Sequence, residues 1–87
     1  MEYRRKLNKS ESERHYFYIT HKYRKYFPPS NTKFTLIVNE EPYEVEMDLL
    51  KRIWTGGFGY KIKWEMGKEF NIIKESDNTF KLEEVKK

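Results

Sequence analysis

From Lys33 onward the sequence falls into short runs in which apolar and polar side chains alternate, each bounded by glycine, proline, asparagine or aspartate. Tyr43, Val45 and Met47 alternate with Glu44, Glu46 and Asp48, and Phe58, Tyr60, Ile62 and Trp64 with Gly59, Lys61 and Lys63. Phe70 and Ile72, then Phe80 and Leu82, repeat the pattern. A period of two sends alternate side chains to opposite faces of a strand, so each run can bury one face only. Residues 33–38 (Lys33, Phe34, Thr35, Leu36, Ile37, Val38) read as a buried strand. The pattern predicts strands over 33–38, 43–48, 51–55, 58–64, 68–74 and 79–85. Turns fall at 39–42, at Gly56-Gly57 and at 75–78. Short strands at this spacing point to a barrel or sandwich, and closure removes the sticky edges of a small sheet.

Composition tells the same story. The chain has 87 residues, enough for one domain, predicted to span 1–87 with its globular part at 10–85. Charged residues make up 37%, a level that by itself would favour disorder. Seven Tyr, six Phe and two Trp counter it by supplying large areas to bury. There is no alanine, the best helix former, while β-branched and aromatic residues abound. With no cysteine, disulfide scaffolds and Cys-ligated zinc are excluded. The expected fold is mostly β: a small open or pseudo-barrel of six to seven short strands with one short helix.

The first third is less regular. Residues 1–9 are polar and basic and read as an arm. Ser10 and Glu13 have the spacing of a capping box. Residues 10–27 admit two readings. Tyr16, Ile19, Tyr23 and Tyr26 fall at helical spacing, yet His15, Tyr16, Phe17, Tyr18, Ile19 and Thr20 favour a strand. A strand over 15–20 followed by a short helix over 21–27 is preferred. Pro28 stops that helix by disfavouring the α region at Phe27. The longest uncharged apolar stretch, residues 34–38, falls far short of the ~20 residues a membrane span needs. The first residues lack the apolar core of a secretion signal. A soluble, cytoplasmic chain with no membrane partner is expected.

Catalytic constellations are missing. Gly56, Gly57 and Gly59 are not followed by the Lys-Ser/Thr of a phosphate-binding loop, and a hairpin turn accounts for them. His15 and His21 have no Cys or third His to complete a metal site. Ser10, Ser12, Ser30 and Ser76 lack a nucleophile elbow. Glu44, Glu46 and Asp48 share a strand face, which reads as solvated rather than as an acid–base pair. No enzyme activity, metal or cofactor is expected.

Charge is distributed in blocks. Residues 1–26 hold eight Lys/Arg against three Glu, a net of +5. Residues 27–50 carry a net of −4, residues 51–74 a net of +4 and residues 75–87 a net of −1. A compact fold that joined the two basic blocks and turned the acidic hairpin away would make a strong positive patch. Both blocks interleave cations with aromatics: His21, Lys22, Tyr23, Arg24, Lys25 and Tyr26 in the first, Lys51, Arg52, Trp54, Tyr60, Lys61 and Lys63 in the second. Lys and Arg neutralise phosphates, and Arg can read guanine edges. Tyr and Trp can stack on bases or pack in the core, and for Trp54 and Trp64 the core is the preferred place.

The order of features resembles the DNA-binding pseudobarrel superfamily. The match consists of a strand, a short helix ending in Phe27-Pro28-Pro29, a hairpin over 34–48, the Ile-Trp-x-Gly-Gly of residues 53–57, Trp64, and a strand opening with Gly67 and Phe70. That superfamily includes the B-three-type domain of plant transcription factors and recognition or effector domains of some restriction endonucleases. The chain departs from it at Lys68, where aspartate is common. It is also shorter between Gly57 and Trp64, where the family's helix is expected to be missing. The resemblance implies a non-catalytic domain that grips the major groove of double-stranded DNA with two arms, serving a restriction–modification system or transcription regulation. The first arm would be Thr20, His21, Lys22, Tyr23 and Arg24. The second would be Lys51, Arg52, Trp54, Thr55, Tyr60 and Lys61. The rivals are a barrel binding single-stranded nucleic acid or RNA by stacking on Trp54, Tyr60 and Tyr23, and a protein-interaction module using the acidic hairpin at 40–48.

Overall fold

The alternating runs become strands with their apolar residues turned to one side. The computed structural model describes residues 1–55 and 64–85. In chain order these form β1 (Glu2–Lys6), α1 (Lys9–Arg14), β2 (Tyr16–Tyr18), a 3-10 helix (His21–Tyr26), β3 (Lys33–Val38), β4 (Glu41–Glu46), β5 (Arg52–Trp54), β6 (Glu69–Ser76) and β7 (Thr79–Glu84). Five strands make one sheet in the order β1-β6-β7-β3-β4, and β2 pairs with β5 in a second. All pairs are antiparallel except β3 with β7. The result is a small, mostly β pseudobarrel.

Phe34, Leu36 and Val38 of β3, Val45 of β4, Phe70 and Ile72 of β6, and Phe80 and Leu82 of β7 face a common core, as the period of two requires. Phe17 and Ile53 close it from the small sheet. Two aromatic clusters fill it. Phe27 stacks on Phe80 at 4.6 Å, with Phe34 edge-on to Phe80 at 5.1 Å. Trp64 stacks on Phe70 at 4.7 Å and meets Phe17, which meets Tyr3 edge-on. Offset and edge-on pairs add to the area buried. Phe27 itself is extended, as Pro28 demands.

Strands 33–38, 68–74 and 79–85 stand within two residues of their expected bounds, and the hairpin registers Phe34 against Val45. The strand expected over 58–64 lies outside the described residues apart from Trp64, which is buried. Strand β4 starts at Glu41 and ends at Glu46, two residues ahead of the strand expected over 43–48, so the turn expected over 39–42 is confined to Asn39 and Glu40. Two further expectations fail. Residues 1–9 are not an arm: β1 pairs along β6 from Glu2↔Ile73 to Lys6↔Glu69, burying Tyr3, and Leu7 is buried just beyond it. Leu7 extends the ladder, its N–H donating to Lys68 O (2.8 Å) and its carbonyl accepting from Gly67 N (2.9 Å), with Gly67 at φ +89°. The capping box lies two residues upstream of the expected one: Asn8 caps α1 and pairs reciprocally with Glu11.

Glu11 is completely buried, and its partners explain both corrections. Its Oε2 accepts from Arg5 Nε at 2.7 Å and from the Tyr18 backbone N–H at 2.9 Å, while Oε1 accepts from the Asn8 N–H at 3.1 Å. The Glu11 carbonyl accepts the Trp64 indole N–H at 3.0 Å. Arg5 therefore occupies an inward position between Tyr3 and Leu7, with its charge neutralised from α1. Burial works against the Arg5 cation, but the hydrogen bond and charge of Glu11 outweigh it and hold the guanidinium's pKa above its ordinary value.

The β4–β5 turn is built on Asp48. Its Oδ1 accepts the N–H groups of Leu50 and Arg52, and its Oδ2 accepts Arg52 Nε and the Trp54 indole N–H, all at 2.9 Å. Partial burial favours the neutral acid. The backbone and side-chain hydrogen bonds from Arg52 and Trp54, with the Arg52 charge, overcome that and hold the carboxyl below its ordinary value of 3.8.

Three measurements test this fold. Val45→Asp is expected to unfold the protein by burying an unpaired charge, whereas Glu44→Lys on the exposed face leaves the thermal midpoint nearly unchanged. Equal effects would mean the register is wrong. Glu11→Ala strands Arg5 and leaves the Asn8 and Tyr18 N–H groups without their carboxylate acceptor, and is expected to cost ~3–5 kcal/mol in urea denaturation. Asp48→Asn is expected to destabilise the chain near neutrality. A depressed carboxyl contributes in full above its unfolded pKa of about 3.9 and loses that contribution as pH falls through its lower folded value. The gap between wild type and Asp48→Asn should therefore close on acidification below about pH 4.

Candidate nucleic-acid interface

Strand β2 runs antiparallel to β5, pairing Tyr16↔Trp54, Phe17↔Ile53 and Tyr18↔Arg52. One step further the Ile19 N–H donates to the Lys51 carbonyl at 2.9 Å. The segment leaving β2 and the segment entering β5 thus meet at the same end of the small sheet. Thr20 there caps the 3-10 helix with its backbone extended. His21, Lys22, Arg24, Lys25 and Lys51 line one shallow concavity of about 550 Å³. Four residues of the first basic block and Lys51, the first residue of the second, supply this single surface.

The cations around it differ in freedom. His21, Lys22 and Lys25 are exposed. Lys22 Nζ stands 5.8 Å over the Tyr23 ring and Lys25 Nζ 5.3 Å over the Tyr26 ring. Tyr23 is half-buried against Tyr3, with ring centroids 4.7 Å apart. Arg24 is tied inward, donating from Nε to the Ile19 carbonyl at 3.1 Å and from Nη2 to the Tyr18 hydroxyl at 2.7 Å. Lys51 adopts a left-handed backbone at φ 63°, and its Nζ donates to Ser30 Oγ at 2.7 Å.

The outer face of the small sheet carries a second arrangement. With Phe17 and Ile53 turned inward, Tyr16, Tyr18, Arg52 and Trp54 turn outward. Arg52 packs 4.9 Å over Trp54 and 5.6 Å over Tyr16, while Arg5 and Arg24 lie over Tyr18. Trp54 is 44% exposed, unlike Trp64, so the core placement expected for both tryptophans holds only for Trp64. Its indole lines a groove with Lys33, Glu44, Val45 and Glu46, so it borders the acidic hairpin rather than the basic concavity.

The expected second arm is therefore divided. Lys51 joins the first arm, Arg52 is held by Asp48 on the outer face, and Trp54 leans to the acidic side. Thr55, 1% exposed, is buried where its N–H pairs with the His15 carbonyl, and so presents no side chain to a partner. Tyr60 and Lys61 lie outside the described residues. Sequence reasoning passed over Tyr16 and Tyr18 as residues of the outer face, although their alternation with Phe17 and Ile19 carried the signal. Glu44 and Glu46 are exposed, whereas Asp48 serves the turn. Among the described residues no three His, Asp or Glu side chains gather as metal ligands, and no helix is long and apolar enough to cross a membrane.

No protein-family model matches the sequence, and no curated protein matches it. Solved structures do. The N-terminal domain of Helicobacter pylori LlaJI.R1 aligns with a TM-score of 0.74 at 9% identity, covering 99% of this chain and 88% of that one. The structure of the hypothetical Arabidopsis thaliana protein At1g16640.1 aligns with a TM-score of 0.71 at 22% identity, covering 98% of this chain and 89% of that one. At such identities the likeness is one of fold, and it extends over nearly the whole length of the chain.

Proposed function

We propose that the chain binds double-stranded DNA in the major groove and performs no chemistry on it. The observation that carries this reading is the junction of Ile19 with Lys51, which brings the first residue of the second basic block into one concavity with His21, Lys22, Arg24 and Lys25. A concave cluster of cations suits a phosphate backbone, and free Lys and His groups at its rim can follow it without breaking internal bonds. The pseudobarrel resemblance drawn from the sequence implies this mode of binding, and the fold supports the resemblance. Thr20, His21, Lys22, Tyr23 and Arg24 form the first arm. Lys51 joins it across the Ile19–Lys51 hydrogen bond. The cytoplasm, and a restriction–modification or regulatory setting, fit such a module.

A second reading rests on Trp54. Its exposure beside Tyr16, with ring centroids 5.3 Å apart, offers a platform on which unpaired bases could stack. Competition between duplex and single strands of the same sequence separates the two, with the duplex expected to win.

Duplex affinity is expected to fall steeply with salt, with a log–log slope of about −4 to −7 for roughly five to eight neutralised phosphates. Lys22→Ala and Lys51→Ala should each weaken binding to all sequences alike and lower the slope by about 1. Lys33→Ala, on the exposed face of β3 and paired with Glu44, is the control. Absence of salt-dependent duplex binding, or equal behaviour of all three variants, would overturn the reading.

A further inference from the structure

The β4–β5 turn displays two adjacent leucines to solvent, Leu49 at 73% and Leu50 at 63% exposure. A single exposed leucine needs no explanation, but this pair is held in a turn with little freedom. The Asp48 carboxylate fixes the Leu50 N–H, the Asp48 carbonyl accepts from Lys51 N at 3.0 Å, and Ser30 Oγ donates to that same carbonyl at 3.0 Å. The next residue, Lys51, lines the basic concavity. The turn thus sets an apolar tip at the rim of a surface whose charge suits a polyanion.

Leucine offers no hydrogen bond, so against a nucleic acid it can recognise only an apolar group. On the base edges of a duplex that group is the C5-methyl of thymine, which projects into the major groove. We infer that Leu49 and Leu50 are specificity-determining contacts for thymine methyl groups beside the phosphates held by the concavity. This rests on the duplex-DNA reading above and adds to it a sequence preference and a means of rejecting RNA, whose uracil lacks the methyl.

The test uses the full chain and the tightest duplex selected from a randomised pool. Each thymine is replaced in turn by deoxyuridine, which removes the methyl alone. At one or two positions the wild type is expected to lose about fourfold in affinity per methyl, the worth of one buried carbon. The double variant Leu49→Ala/Leu50→Ala should bind thymine and deoxyuridine duplexes equally and keep its thermal midpoint, since both side chains are exposed. Equal wild-type binding to thymine and deoxyuridine duplexes overturns the leucine contact and leaves duplex binding standing. So does discrimination that persists in the double variant. Failure to select any duplex overturns both.

Discussion

A single buried carboxylate, that of Glu11, fixes the geometry on which everything else depends. It accepts from a cation on β1, from the cap of its own helix and from the backbone of β2. A carboxylate without water must have its lone pairs filled, so these three elements can sit only where their donors reach it. The Glu11 carbonyl extends the constraint to Trp64 and through it to Phe70. Because β2 is placed in this way, its partner β5 is placed too, and the basic segments beyond Tyr18 and before Arg52 come together. Core packing supplies the driving force, while this polar knot decides which strand lies where.

That division explains what could be read from the sequence. Strands of the large sheet declared themselves, β3 through its apolar run of Phe34, Leu36, Ile37 and Val38, and β6 and β7 through Phe70, Ile72, Phe80 and Leu82. Strand β1 did not, because its inward series is Tyr3, Arg5, Leu7, and an arginine in the middle looks like surface until Glu11 is found opposite it. The two tryptophans are indistinguishable by pattern. Trp64 meets a buried carbonyl, while Trp54 falls on the outer face of the β2–β5 pair and is 44% exposed. At the interface, interleaved cations and aromatics were legible, but not which cations are occupied. Only the folded chain shows that Asp48 claims Arg52, and that Tyr18 and Ile19 claim Arg24.

The acidic hairpin has a different place from the one charge bookkeeping implied. It does not turn wholly away from the basic surface, because β5 stands between them with Trp54 on the boundary. Glu44 and Glu46 flank one side of that indole, and the cations of the 3-10 helix lie toward the other end of the same short sheet. Across the tryptophan the surface passes from the cations of the concavity to Glu44 and Glu46, the first of them paired with Lys33. The charge pattern therefore gives the surface a direction as well as a strength.

The strand order carries a consequence for how the chain acquires its shape. Strand β7, the last in sequence, sits in the middle of the large sheet between β6 and β3, and β1 is held at the margin by β6. During synthesis the early strands therefore emerge without their neighbours, and the β3–β4 hairpin must wait for β7 to dock alongside it in parallel. Closing such distant pairings costs chain entropy before any contact offsets it, which slows folding relative to a protein of local contacts. The nascent chain spends that interval with Phe34 and Leu36 uncovered. Charged residues in and beside β3, Lys33 and Glu40 among them, are of the kind that disfavours edge-to-edge pairing of unfinished copies.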